Sequence, residues 1–210
     1  MQKRTFPGTM NISPRKGRGK DTCMNKRYAF LMNADKCIGC RGCAMACKNF
    51  NRLEPSMVWR QVYPLAESIY PHRERAFYSL ACNHCDDPAC LRACPTGSYE
   101  KREDGIVVHH QETCIGCTNC VRSCPYGAPR YNAEEKHAEK CSMCRERIDA
   151  GLLPACVQAC PVGALELVDL NTLNEPNAVQ FPAGYPSMPR LNPATRFILP
   201  RMPRQIRGQS

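Results

Sequence analysis

Cysteine is the residue type in this sequence whose number and spacing point to chemistry. The chain has 17 cysteines among 210 residues, and 16 of them fall into four groups that each end in the pattern CxxxC. A thiolate is a metal ligand and a redox group, so such groups indicate metal centres or disulfide chemistry. In chain order, group 1 is Cys37, Cys40, Cys43 and Cys47; group 2 is Cys82, Cys85, Cys90 and Cys94; group 3 is Cys114, Cys117, Cys120 and Cys124; and group 4 is Cys141, Cys144, Cys156 and Cys160.

The evenly stepped thiols of groups 1 and 3 favour iron-sulfur clusters. The stretches CIGCRGC and CIGCTNC each place three cysteines at three-residue steps, so that one tight loop can deliver three thiolates to three irons. In two-cluster ferredoxins the fourth cysteine of such a motif ligates the other cluster. The groups must therefore act in pairs, and they predict two ferredoxin units with four 4Fe-4S clusters.

Two other uses of cysteine fit this spacing less well. A tetrahedral zinc site takes its ligands from two separated pairs and has no use for a third evenly spaced thiol. A disulfide scaffold accounts for an even number of cysteines but not for the fourfold recurrence of CxxC. The spacing therefore favours clusters over zinc and over disulfides.

The composition indicates a loop-rich chain that metals help to organise. It has 18 prolines, 13 glycines and a mean hydropathy of -0.47. The formal net charge is +10, but four oxidised clusters with their thiolates would add about -8, at about -2 each. We interpret the excess of Lys and Arg mainly as compensation for buried anionic clusters. We expect no nucleic-acid partner, because no basic run is interleaved with aromatic residues.

The sequence predicts no direct membrane span. No apolar run reaches the roughly 20 residues that a spanning helix needs, and the longest candidate, ACVQACPVGALELV, is broken by Pro161 and Glu166. Residues 1–30 are charged and lack the continuous apolar stretch of a secretory signal. If the protein works at a membrane, we expect another subunit to hold it there.

Short strands are predicted beside the cysteine loops. RYAFLMN precedes group 1, AFYSLAC leads into group 2, GIVVHHQ precedes group 3 and ALELVDL follows group 4. The run SYEKREDGIVVHH predicts a hairpin across Asp104 and Gly105. CAMACKNF and CVRSCPYG predict short helices that carry the fourth thiol away from the first cluster, with Pro95, Pro125 and Pro161 placed to end such helices. This repeat of strand, loop and helix predicts an α+β, ferredoxin-like fold.

These motifs together resemble a known family. The four groups, the insertion between Cys144 and Cys156, and the phrases CNHCDDPAC, KREDG and CIGCTNCVRSCPYGAPRYN are similar to the four-cluster electron-transfer subunits of the molybdopterin oxidoreductase family. The likeness is greatest to the subunits of the dimethyl sulfoxide reductase type. It covers residues 24–169 strongly and continues weakly in the tail, in LNPATRFILPR.

The resemblance implies which thiols share a cluster, with groups 1 and 4 forming an outer module and groups 2 and 3 an inner module in pseudo-twofold arrangement. Three ligands of each cluster come from one group and the fourth from its partner group. The implied ligand sets are set A, Cys37, Cys40, Cys43 and Cys160; set B, Cys141, Cys144, Cys156 and Cys47; set C, Cys82, Cys85, Cys90 and Cys124; and set D, Cys114, Cys117, Cys120 and Cys94.

One position bears on the kind of cluster. Related nitrate reductase subunits resemble group 3 but have tryptophan in place of the second cysteine and hold a 3Fe-4S centre. This chain has Cys117 there, so the resemblance implies a 4Fe-4S cluster.

The resemblance also implies three regions along the chain. Residues 1–23 are expected to be a basic, disordered N-terminal extension with an incidental thiol at Cys23, because MNKRYAF from Met24 matches the start of the family pattern. Residues 24–170 are expected to form the four-cluster domain. Residues 171–210 are expected to be an extended, Pro-rich tail that wraps a partner subunit.

The implied function is a relay of single electrons rather than catalysis. The sequence has no paired carboxylates in a recognisable frame, no nucleophile with a base and no nucleotide-binding glycine loop. The resemblance implies a large molybdopterin catalytic subunit and an integral membrane anchor with a quinol site as partners, and a location at the membrane, with the periplasmic side favoured. The alternatives are the equivalent subunit of a formate, polysulfide, thiosulfate or tetrathionate enzyme, and a free-standing soluble polyferredoxin.

Overall fold

The computed structural model describes residues 26–65 and 76–201. The predicted N-terminal extension, including Cys23, lies outside the described residues, as do residues 202–210 at the end of the predicted tail. The strands are β1 (Tyr28–Asn33), β2 (Gln61–Pro64), β3 (Phe77–Leu80), β4 (Tyr99–Lys101), β5 (Val107–His109), β6 (Arg130–Asn132), β7 (His137–Glu139), β8 (Leu165–Asp169), β9 (Ala178–Val179) and β10 (Arg196–Ile198). The α-helices are α1 (Gly42–Phe50), α2 (Ala89–Arg92), α3 (Asn119–Ser123), α4 (Arg145–Asp149) and α5 (Ala155–Gln158), and two short 3-10 helices cover Gln111–Thr113 and Pro189–Leu191.

A four-stranded sheet in the order β8-β1-β10-β9 organises the fold. One of its two inner strands, β1, is buried along nearly its whole length, which explains why its sequence YAFLMN is a continuous apolar run rather than an alternating one. β8 pairs antiparallel with β1, placing Phe30 opposite Leu167, and β10 pairs parallel, placing Met32 opposite Phe197. Strands β1, β3, β5 and β8 confirm the four strands that the sequence predicted.

The other three sheets are two-stranded hairpins, which pair β2 with β3, β4 with β5 and β6 with β7. The β4–β5 hairpin is the one predicted across Asp104 and Gly105. Gly105 has a φ of 85°, and the backbone N–H of Arg102 donates to the carbonyl of Ile106 at 2.9 Å, closing the turn. The mixture of antiparallel pairs, one parallel pair and few short helices agrees with the predicted α+β class.

The described part of the C-terminal tail contributes two strands to the main sheet. β9 and β10 pair antiparallel, and Phe197 of β10 is fully buried with its ring centroid 5.3 Å from that of Tyr78. The prolines and lack of periodicity in this segment hide three-residue pairings, so the sequence predicted no strand here. That the tail also contacts a partner subunit stays a prediction.

Each helix begins in or beside a cysteine loop. α1 contains both Cys43 and Cys47, whereas α2, α3 and α5 end one or two residues before Cys94, Cys124 and Cys160. The predicted short helices are therefore present, and in three groups the fourth thiol follows the helix end. Among the described residues no helix is long and apolar enough to cross a membrane.

Candidate metal centres

The four thiols of set A line one cavity. Cys37 and Cys40 lie in the loop before α1, and Cys43 lies in the first turn of α1. Cys160 lies two residues after the end of α5. Apolar side chains such as Met32 and Leu165 complete the wall. Burial raises the pKa of Cys37, the N–H of Gly39 opposes this, and Cys43 and Cys160 raise it further. The thiols of group 1 and the thiol of group 4 are therefore close enough to interact electrostatically, although the two groups are far apart in the sequence.

Two further cavities are lined by sets C and D. All four thiols of set C line one, together with Val107 and Tyr126, and all four thiols of set D line the other, together with Tyr99 and His109. Burial raises the pKa of Cys85, and the thiols of set C that add to this shift are Cys82, Cys124 and Cys90. Burial likewise raises the pKa of Cys120, which the Tyr99 hydroxyl lowers and Cys114 and Cys117 raise.

Set B is the most deeply buried set. Its thiols, Cys47, Cys141, Cys144 and Cys156, are all buried, and α1, which holds Cys47, packs against α5, which holds Cys156. Burial raises the pKa of Cys47, with further increases from Cys141, Cys156 and Cys144 and an opposing effect of Arg60. Cys47 of group 1 thus lies near three cysteines of group 4.

Backbone N–H groups point at several of these sulfurs. Ala164 N donates to Cys160 Sγ at 3.2 Å, Ser98 N to Cys94 Sγ at 3.3 Å, and Met143 N to Cys141 Sγ at 3.3 Å. Although burial acts to raise the pKa of Cys94, hydrogen bonds from Thr96 and Ser98 lower it. Hydrogen bonds of this kind favour the thiolate, which is the form that binds metal.

The thiols surround cavities rather than one point. Among residues 26–65 and 76–201, no three Cys, His, Asp or Glu side chains converge closely enough to ligate a single metal ion. A tetrahedral zinc site with Zn–S bonds of about 2.3 Å needs its sulfurs about 3.8 Å apart. A cluster in which each thiolate binds a different iron needs a wider arrangement, so the donor set and cavities fit a 4Fe-4S cluster.

Glycine at two loop positions allows close approach of backbone. Gly39 has a φ of 71°, and a Cβ there would lie 2.7 Å from the Phe77 ring. Gly116 has a φ of 68°, and a Cβ there would collide with the carbonyl oxygen of Lys136. A side chain at either position would meet both an unfavourable φ and a steric clash.

His84 lies inside the group 2 loop and is fully buried. Its Nδ1 accepts a hydrogen bond from the N–H of Val107 at 3.0 Å, so the ring proton is on Nε2, which has no partner among the described residues. Burial lowers the pKa of His84 well below its usual value, and Lys140 and Lys101 lower it further. The imidazole is therefore neutral at pH 7.

Three cations near the thiols were not singled out by the sequence; Arg60 and Lys140 are buried and Lys101 is partly exposed. Lys140 donates to the carbonyl of Cys141 at 3.0 Å, Lys101 donates to the carbonyl of Cys85 at 2.7 Å, and the side chain of Arg60 is almost completely buried. The position of Lys140 directly before Cys141 is a sequence signal that could have identified it as a cation near the thiols. Nothing in the local sequence marks Arg60, which precedes β2 and reaches the cysteines only through the fold. Trp59 beside it packs against the main core and donates to Glu139 at 3.3 Å.

Comparison with known proteins agrees with this arrangement. A family model described as a 4Fe-4S dicluster domain matches residues 74–170, and one described as a 4Fe-4S binding domain matches residues 34–51. The sequence is 42% identical over 160 residues to YnfG of Escherichia coli (strain K12), a probable anaerobic dimethyl sulfoxide reductase component, and the match covers 72% of this chain and 78% of the relative.

Two other relatives extend the comparison. A component of the anaerobic dimethyl sulfoxide reductase of Escherichia coli (strain K12) is 39% identical over 160 residues, with 72% of this chain and 78% of the relative covered. A component of the tetrathionate reductase of Salmonella typhimurium (strain LT2) is 40% identical over 147 residues, covering 69% of this chain and 58% of the relative. The chain therefore belongs to the family of iron-sulfur subunits of anaerobic dimethyl sulfoxide reductases.

Proposed function

We propose that this chain relays single electrons through four 4Fe-4S clusters to the catalytic subunit of an anaerobic respiratory reductase, most like dimethyl sulfoxide reductase. One observation supports the proposal: three cavities are each lined by three cysteines of one group and one of another, and Cys47 of group 1 lies near three cysteines of group 4. That crossing of the fourth thiol is the ligand pattern of two-cluster ferredoxins.

The proposed ligands are those of sets A, B, C and D, and the proposed architecture is two modules in pseudo-twofold arrangement. Helix packing supports the modules, because α1 of group 1 packs against α5 of group 4, and α2 of group 2 packs against α3 of group 3. The modules adjoin at their thiols: burial raises the pKa of Cys141 to about 11, Arg60 lowers it, and Cys82 of set C raises it. This neighbour relation suggests a route for electrons from set B to set C.

When bound, each cluster supplies a one-electron redox couple, and the protein supplies its ligation and surroundings. The thiols hold it, the apolar walls exclude water, and N–H donors such as Ala164 and Ser98 stabilise negative charge on sulfur. Exposed apolar side chains lie beside two of the loops, Ile38 next to Cys37 and Ile115 next to Cys114. Such side chains suit docking of partner subunits near sets A and D.

The proposed partners are a large molybdopterin subunit, which performs the two-electron chemistry, and a membrane anchor that oxidises quinol. The complex would then be held at the membrane by the anchor, with the periplasmic side favoured. We further propose that the Pro-rich tail, residues 171–210, wraps a partner subunit. The similar identity to the tetrathionate reductase component makes a tetrathionate enzyme the second candidate.

Metal analysis and copurification test the proposal. The full chain, isolated anaerobically with the subunits that accompany it, should contain about 16 iron and about 16 acid-labile sulfide per chain. A large subunit containing molybdenum should copurify with it. Zinc in place of iron, or far less iron and sulfide than this, would contradict the proposed four clusters. A fully loaded chain that purifies alone would instead favour the soluble polyferredoxin.

A further inference from the structure

Arg60 is a buried cation without a carboxylate partner in the described structure. Its side chain is 1% exposed, and its Nη1 donates to the carbonyl and hydroxyl oxygens of Ser79, both at 3.1 Å. Its Nε and Nη2 have no hydrogen-bond acceptor within residues 26–65 and 76–201. Placing a charged guanidinium in the interior is strongly unfavourable unless a negative group compensates it.

The groups that face Arg60 are cysteines of sets A and B. The thiols that act on its guanidinium are Cys156, Cys141, Cys43 and Cys47, three from set B and one from set A. Ser79 extends the contact, because its hydroxyl accepts from Arg60 and lies 3.2 Å from Cys43 Sγ. The ring of Phe30 lies 4.4 Å from the guanidinium carbon and closes the other side. Within the described part of the chain, the negative groups available to Arg60 are therefore these thiolates and what they bind.

We propose that Arg60 is a positioning residue for the clusters, a fixed positive charge between sets A and B that raises the reduction potential of the cluster held by set B. The inference rests on the cluster ligation proposed above. An oxidised 4Fe-4S cluster with four thiolates carries a net charge of about -2, and gaining one electron makes it about -3. A buried cation stabilises the more negative state more strongly, and the low dielectric of the interior strengthens this effect.

Removal of the charge with little change in volume gives the first test. The full chain, loaded and isolated anaerobically with its accompanying subunits, is titrated with dithionite and ferricyanide while the clusters are followed by EPR. In Arg60→Met, the equilibrium constant for reduction of one cluster should fall at least tenfold, which is a midpoint shift of about 59 mV or more for a one-electron couple. The midpoints of the inner-module clusters should not change.

Two further variants separate charge from packing. Arg60→Lys keeps the positive charge, so its midpoints should stay much closer to those of the unmodified protein. Arg190→Gln removes an exposed positive charge from the short 3-10 helix Pro189–Leu191, where water screens it, and should leave all midpoints unchanged. A fully loaded Arg60→Met protein with four unchanged midpoints would overturn the proposal.

If Arg60→Met does not incorporate its clusters, Arg60→Lys still tests whether the positive charge is needed. In that case, an Arg60→Lys protein with full iron content and unchanged midpoints supports a requirement for charge. An Arg60→Lys protein that also fails to load would show that the shape of arginine, not its charge, is needed, and would overturn the proposal. Iron and sulfide content of the unmodified protein tests the proposed function separately, so failure of one does not resemble failure of the other.

Discussion

The imidazole of His84 accepts a hydrogen bond from the backbone N–H of Val107 at 3.0 Å. This bond joins the group 2 loop to β5, the strand of the β4–β5 hairpin that precedes group 3. The group 2 loop is thus connected to the strand that leads into group 3 by a buried contact that uses no thiol. His84 adopts a φ of 46° to make it, which is uncommon for a residue other than glycine.

Replacement of His84 should therefore depend on whether an acceptor remains. His84→Ala leaves the Val107 N–H buried without a partner and should lower the apparent free energy of unfolding by about 1–3 kcal/mol. His84→Asn places an amide oxygen near the position of Nδ1 and tolerates positive φ, so most of that loss should be recovered. Anaerobic guanidinium unfolding followed by circular dichroism compares the two variants. Equal losses in both would show that the acceptor does not matter.

Gly116 and Gly97 form a matched pair in which only steric space differs. Their φ values are 68° and 65°, but a Cβ at Gly116 would meet the Lys136 carbonyl oxygen, and a Cβ at Gly97 has nothing within 4 Å. Gly97→Ala should cost only the strain of a left-handed residue, about 1–2 kcal/mol. Gly116→Ala should also displace the group 3 loop and reduce the iron content by about one cluster. Identical iron content in the two variants would argue against a tight approach at Gly116.

Cys117 tests the ligand assignment of set D. This thiol is exposed and lines the set D cavity, so its iron should be the one most readily lost when the ligand is weakened. Cys117→Ser should convert one cluster to a 3Fe-4S centre, which gives an EPR signal in the oxidised protein and lowers the iron count by about 1. Cys23→Ser serves as the control and should change neither quantity. An unchanged spectrum in Cys117→Ser would contradict the assignment.

His109 predicts a loss of stability in acid. Burial, together with the nearby charge of Lys140, lowers its pKa from 6.5 to about 4. The unfolded chain takes up this proton near pH 6.5, whereas the folded chain takes it up only near pH 4. The contribution of His109 to the free energy of unfolding is therefore fully present above pH 6.5 and is lost as the pH falls towards 4. Replacement by Gln removes that proton linkage.

The matched measurement is the rate of iron release to a chelator between pH 7 and pH 4.5 for both proteins. Clusters are themselves sensitive to acid, so only the difference between the two proteins reports on His109. Iron release should rise less steeply with falling pH in His109→Gln than in the unmodified protein. Parallel profiles would show that His109 does not contribute.

Patterns along the chain predicted much of the local structure. The apolar runs predicted β1, β3, β5 and β8, and the turn at Asp104 and Gly105 predicted the β4–β5 hairpin. Periodicity did not predict β9 and β10, because strands of two or three residues interrupted by prolines carry too little pattern. Those strands exist because β1 has an open edge that the returning chain can cover.

The sequence by itself determined that this protein binds iron-sulfur clusters, because the spacing of its cysteines specifies the kind of metal centre and the number of thiols that one loop can supply. The tertiary structure decided what surrounds them. Arg60, Lys140 and His84 are far apart in sequence and become neighbours only when β2, β5 and the cysteine loops pack together. Electrostatic effects depend on distance and burial, which local sequence does not encode, so only folding places the buried Arg60 against the thiols of two groups.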